Sequence, residues 1–155
     1  MNRDLINILL VVSPLIIGFA TSRMCDMPNS DHLKIQPPGW VFGVVWTYMY
    51  IVMGLLILRC VNFIPYNKIE KVLVLTCLVI HCLLIFMWPY VFSCKKRAKA
   101  ALFILFGSFI TGILLLRNRF FDTSNFLTYL LIPYLCWLLF AILLNVEYVQ
   151  KDDTV

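Results

Sequence analysis

PPGWVFGVVWTYMYIVMG, residues 37–54, reads as the opening and body of one hydrophobic helix. Two prolines suit a first helical turn, where the missing N–H leaves no bond unmade, and Gly39 lets the chain bend as it enters. At about 100° per residue, Trp40, Gly43, Thr47, Tyr50 and Gly54 share one face, with Phe42, Trp46, Met49 and Met53 beside it. The helix therefore offers small residues and aromatic shelves together. In an ordinary membrane helix the same Trp and Tyr side chains anchor the ends at the interface.

Composition sets the class. Of 155 residues, 62% are hydrophobic and 14% charged, against about 25% charged in soluble domains. A span needs about 20 mostly apolar residues, and five segments meet that length: 5–22, 40–60, 69–92, 98–116 and 126–149. Short connections make successive spans antiparallel and leave no room for a second domain. The expected fold is an all-α bundle of five transmembrane helices over residues 1–155. The first span has Arg3 ahead of it like a signal sequence, but no small-x-small cleavage site follows, so it is expected to be retained.

Six cysteines would form a framework only by pairing, yet Cys60, Cys77, Cys82 and Cys136 lie in or beside apolar spans without metal-ligand spacing. They read as buried, free, small apolar residues. A net charge of +5 with no basic stripe outside the spans argues against nucleic acid as a partner. Lys95, Lys96, Arg97 and Lys99 mark a membrane boundary that attracts anionic lipid. Counting Lys and Arg gives six on the N-terminal side and seven opposite, so the positive-inside rule does not set the orientation.

Within the spans, Pro14 and Gly18 allow close approach to the first helix. His81 must face the bundle or water, either as a neutral ring bonded to a carbonyl or hydroxyl, or as an axial ligand to haem iron. Gly107, Ser108, Thr111 and Gly112 form a small-residue seam for a neighbouring helix or for a second copy of the chain. Pro133 frees a backbone carbonyl that a neighbour must satisfy, and Asn145 ends the buried part of the fifth span. The long polar connection from Arg23 to Gln36 suits a lid or a solvated linker.

Three ordered motifs carry a family resemblance: Pro37-Pro38-x-Trp40-x-Phe42-Gly43-x-x-Trp46-Thr47-x-x-Tyr50-x-x-Met53-Gly54, then Trp88-Pro89-x-x-Phe92, then Pro133-Tyr134-Leu135-x-Trp137-x-x-Phe140-Ala141-x-x-Leu144-Asn145. Together they resemble the translocator proteins, or tryptophan-rich sensory proteins, once called peripheral benzodiazepine receptors. The resemblance implies a five-helix bundle with a cavity for tetrapyrroles (protoporphyrin, haem) or for sterols and other lipids. It places ligand-lining roles on Trp46, Tyr50, Trp88, Phe92, Trp137, Phe140, Ala141 and Leu144. In the family the first loop folds over the cavity mouth, and Arg23 and Lys34 there would meet porphyrin propionates. Two positions depart from the family pattern: Ile35 replaces a tryptophan before the proline pair, and Ile85 an asparagine three residues before Trp88.

Trp and Tyr give rigid faces for stacking flat apolar ligands, so a receptor, sensor or carrier without a required cofactor is the leading expectation. The alternative is a porphyrin-degrading enzyme using Trp46 and Trp137 as redox-active side chains; the spans lack the carboxylates of acid–base catalysis. A coupled transporter would need an ionisable group in mid-span, whereas passage of a lipid along a groove would not. Leu144, Tyr148 and Lys151 satisfy a loose cholesterol pattern on one helical face, expected to bind sterol separately from the deeper porphyrin residues. The family's eukaryotic members imply the mitochondrial outer membrane; endoplasmic reticulum, plasma membrane and bacterial envelope are the alternatives.

Overall fold

The computed structural model describes residues 3–26, 33–62, 68–117 and 125–152. Its helices are α1 (Arg3–Ser22), α2 (Gly39–Asn62), α3 (Lys68–Pro89, continued by a π-helical turn Tyr90–Cys94), α4 (Ala98–Arg117) and α5 (Asn125–Asp152). All five are long and apolar enough to cross a membrane, and no strand occurs among the described residues. The proline pair lies just ahead of α2, where the Pro38 carbonyl accepts the Val41 N–H at 2.9 Å. Pro89 has no N–H to give the preceding turn, and the helix widens immediately after it, with Lys95 N–H donating to the Tyr90 carbonyl at 3.1 Å. Lys96, at φ 51°, then reverses the chain into α4.

Around the bundle α1 packs on α2, α2 meets α5, α4 lies between α5 and α3, and α3 closes the ring against α2 and α1. Met49, Met53, Leu56, Ile85, Leu105, Tyr134 and Leu138 form the buried centre. Ile16, Phe103 and Leu139 point outward, as residues facing lipid do. Since lipid is as apolar as leucine, close approach of helices decides the packing. A side chain at Gly54 would collide with the Val11 backbone, and one at Gly18 with the Tyr50 ring, so these two glycines set the α1–α2 crossing. In α4, a Cβ on Gly112 would come within 2.7 Å of Leu135, and one on Gly107 within 3.2 Å of Leu84. The small-residue seam of α4 is therefore internal, facing α5 and α3.

Several polar side chains are paired across helices. Tyr48 donates to the Leu130 carbonyl at 2.7 Å, beside the turn that Pro133 opens, and Asn62 donates to Asn7 at 2.8 Å. Thr111 spends its one hydroxyl proton on the Gly107 and Ser108 carbonyls of its own helix. It must therefore accept from His81, whose Nδ1 lies 2.8 Å away, and this places the ring proton on Nδ1. The lone pair on Nε2 accepts the Tyr134 hydroxyl at 2.6 Å. Both nitrogens are thereby engaged, and His81 bridges α3, α4 and α5.

By sequence, Cys60, Cys77, Cys82 and Cys136 read as buried and free, and Cys25 and Cys94 are left unassigned. Cys25, just past α1, and Cys94, at the end of the π-helical turn, form a disulfide with Cα atoms 5.3 Å apart. Cys60 is buried and Cys77 and Cys82 half-buried, but Cys136 is exposed on the outer face of α5.

Candidate functional site

The site forms at the end of the bundle away from the N-terminus, where α2 begins and α3 and α5 finish. Positions spaced by three and four share a helical stripe, and each helix contributes one: Gly39, Phe42 and Trp46 from α2, Trp88 and Phe92 from α3, Ala141, Leu144, Asn145 and Tyr148 from α5. They enclose a cavity of about 220 Å³, with Leu33 and Gln36 of the first connection over it. Those two residues are held in place from α5: Glu147 accepts the Lys34 backbone N–H at 2.8 Å and pairs with Lys151 at 3.1 Å. Residues 27–32 of the expected lid lie outside the described residues.

One wall is a ladder of stacked rings. Trp46 stacks on Trp88 (centroids 5.2 Å, 13° between planes), and Trp88 on Phe92 (5.2 Å, 10°). Tyr148 closes the upper end edge-on to Phe92 at 5.2 Å, and Tyr50 continues the lower end, tilted 5.8 Å from Trp46 and stacked on Phe86. Aromatic pairs of this kind contribute about 0.5–1.5 kcal/mol beyond burial, so the ladder is held rigid before anything binds. On its other side lies a second cavity of about 140 Å³, bordered by Gly18 and Phe19 of α1 and by Gly43, Thr47 and Tyr50 of α2. Trp46 and Trp88 belong to both cavities and form the partition between them.

The first cavity is lined mostly by apolar surface. Both amide atoms of Asn145, the Trp88 Nε1–H and the Gln36 Oε1 are buried without a hydrogen-bond partner among the described residues. Leaving a buried polar group unsatisfied costs about 1–3 kcal/mol.

Of the residues expected at the site, Trp46, Trp88, Phe92, Ala141 and Leu144 come together around this cavity. Tyr50 borders the neighbouring one. Trp137 and Phe140 lie behind Phe42, with Trp137 edge-on to it at 5.6 Å and facing an outer groove with Pro133 and Cys136. Leu144 and Tyr148 line the same cavity as the tryptophans, and Lys151 pairs with Glu147. The residues expected to meet sterol thus share one cavity with Trp46 and Trp88. Ile85 is packed in the core and Ile35 is exposed, so neither departure from the family pattern contributes to the cavity. Among the described residues no three His, Cys, Asp or Glu side chains gather as metal ligands. Sequence reasoning passed over Asn145, Gln36 and Phe42 as lining residues. The signal for Asn145 was present, because it follows Ala141 by four residues and precedes Tyr148 by three, on the same stripe.

Comparison with known proteins agrees with this architecture. The profile of the TspO/MBR family matches residues 6–150. The chain is 29% identical over 161 residues to the tryptophan-rich protein TspO of Chlorobaculum tepidum, covering 98% of this chain and 99% of that one. It is 30% identical over 142 residues to the tryptophan-rich protein TspO of Archaeoglobus fulgidus, covering 87% and 89%. Their sources, a bacterium and an archaeon, lack mitochondria, so family membership by itself assigns no organelle. With a profile match spanning most of its length and both relatives aligned over most of theirs, the chain belongs to the TspO/MBR family.

Proposed function

We propose that this chain is a membrane receptor or carrier for flat, largely apolar ligands of the tetrapyrrole class, held against the Trp46–Trp88–Phe92 ladder. The carrying observation is that three nearly parallel, stacked rings from two helices line one apolar cavity. Aromatic contact supplies affinity that tolerates variation in the ligand. At about 220 Å³ the cavity is smaller than the roughly 300–1,000 Å³ typical for drug-sized ligands. A whole macrocycle therefore extends toward the mouth at Gln36 and Tyr148, or swings Trp46 and Trp88 so that the two cavities join. Charged propionates remain at the mouth, beside Lys34, because the lining carries no charged side chain.

Sterol enters this proposal as a competitor for the same cavity, since Leu144 and Tyr148 border it. The test is quenching of tryptophan fluorescence by protoporphyrin in lipid nanodiscs, repeated with cholesterol present. Saturable one-site quenching that cholesterol displaces is the expected result. Quenching that rises without saturating, as empty nanodiscs would give by partition alone, would overturn the proposal. Flux of the same ligand into vesicles then separates carrier from receptor.

A further inference from the structure

α1 and α2 touch where Gly54 meets the Val11 backbone and again where the Tyr50 ring lies against Gly18. Two turns nearer the start of α2, at Gly43, a Cβ would meet nothing within 4 Å, so the helices part there. The wedge between them is the second cavity, about 140 Å³, walled on the inside by Trp46 and Trp88. Its outer side is open: Phe19 is 50% exposed, and Ser22 and Gly43 are exposed as well. All these positions lie on helices long and apolar enough to span a membrane, so the opening gives onto lipid.

The lining suits hydrocarbon. It carries no charged side chain, and its aliphatic hydroxyls, on Ser22 and Thr47, spend their protons on the Phe19 and Gly43 carbonyls of their own helices. Apolar cavities stay dry, and an empty one forfeits the dispersion contacts that its walls could make. At membrane depth, acyl chains are the groups at hand to supply them. From Gly43 to Tyr50 the cavity runs about 10 Å along α2, at about 1.5 Å per residue, enough for the upper part of one chain.

Charge selects the headgroup. Ser22 ends α1 at the edge of the cavity and the exposed Arg23 follows it. The Cys25–Cys94 disulfide then sets the exposed Lys95, Lys96 and Arg97 beside this end of α1. Lys95 lies over the Tyr90 ring, 5.5 Å from its centroid, a contact that leaves its charge in place. Asp26 is the single carboxylate among described residues 20–26 and 90–99, so positive charge is in excess. We infer that the second cavity is a lateral site for an anionic phospholipid, with one acyl chain entering between α1 and α2 against Trp46 and the headgroup over Arg23 and Lys95. The site lies across the Trp46–Trp88 partition from the cavity proposed for tetrapyrroles and does not rest on that proposal.

Quenching of tryptophan by brominated acyl chains tests this on the full chain carrying Trp40→Phe and Trp137→Phe, which leaves Trp46 and Trp88 as the emitting indoles. Nanodiscs of plain phosphatidylcholine receive rising small fractions of brominated phosphatidylglycerol or of brominated phosphatidylcholine, with helicity checked for each variant. Phosphatidylglycerol is expected to quench saturably, with an apparent affinity about fivefold or more above that of phosphatidylcholine. Gly43→Leu grows into the open space and should remove the saturable part; Gly43→Ala, adding one methyl, should remove some of it. Arg23→Gln with Lys95→Gln should bring the two lipids to near-equal quenching. Quenching that rises linearly and equally with both lipids, as at any lipid-facing surface, would overturn the site. Saturable quenching that both Gly43 variants leave unchanged would put the chain outside the wedge and overturn the assignment. A phosphatidylglycerol preference that survives the paired glutamines would overturn the headgroup contact. Should Gly43→Leu not fold, Gly43→Ala decides whether the chain lies in the wedge.

Discussion

At the scale of single residues, His81 shows how far lipid physics reaches. An imidazole at membrane depth needs partners inside the bundle, and that was legible in the sequence. Their identity was not, because Thr111 and Tyr134 are 30 and 53 residues away and only the packing of α4 and α5 brings them to the ring. His81→Leu should destabilise the protein by about 1–3 kcal/mol, since the fully buried Tyr134 hydroxyl is left without its acceptor. Adding Tyr134→Phe removes the stranded hydroxyl, so the double variant should melt above the single one in detergent. A double variant that melts lower would mean that the ring serves chiefly by its volume.

At the scale of elements, the spans were legible almost to their ends because long apolar runs bounded by charge leave little choice of register along the membrane normal. Which face meets which neighbour was less so. The small residues of α2 all lay on one predicted face, yet Gly54 is jammed against the Val11 backbone while a Cβ at Gly43 would meet nothing within 4 Å. Gly54→Ala is therefore expected to push α1 away and cost about 1–3 kcal/mol by overpacking. Gly43→Ala should be neutral or stabilise by about 0.5–1 kcal/mol through helix propensity. Thermal unfolding of the two variants side by side checks this, and equal losses would refute the assigned crossing of α1 on α2. The candidate site divides in the same way: stripes at spacings of three and four found the lining of α3 and α5, but not that α5 turns Trp137 behind Phe42 and presents Asn145 instead.

At the scale of the whole molecule, the charge count left the orientation open, and the disulfide bears on it. Nothing in the spacing of Cys25 and Cys94 announces a pair, since 69 residues separate them and only the return of α3 to the end of α1 brings them together. Disulfides persist in oxidising compartments, so the cavity end is expected on the oxidising side of the membrane and the N-terminus on the reducing side. Denatured without reductant, the protein should show four maleimide-reactive thiols out of six, and six after reduction. Six before reduction would contradict both the bridge and the orientation.

The claim on which the account rests is that ligand lies against the Trp46–Trp88–Phe92 ladder and not in the outer groove beside Trp137. Protoporphyrin affinity of Trp88→Ala and Trp137→Ala, each measured against wild type in nanodiscs with helicity checked, tests it most directly. Losing one stacking platform costs about 1–3 kcal/mol, a range known from nucleobases, and that loss is expected for Trp88→Ala. Trp137→Ala, one ring removed from the cavity, should stay within about 1 kcal/mol of wild type, less than tenfold. The reverse order, with Trp137→Ala the more damaging and Trp88→Ala near wild type, would contradict the account and move the ligand to the groove between α2 and α5.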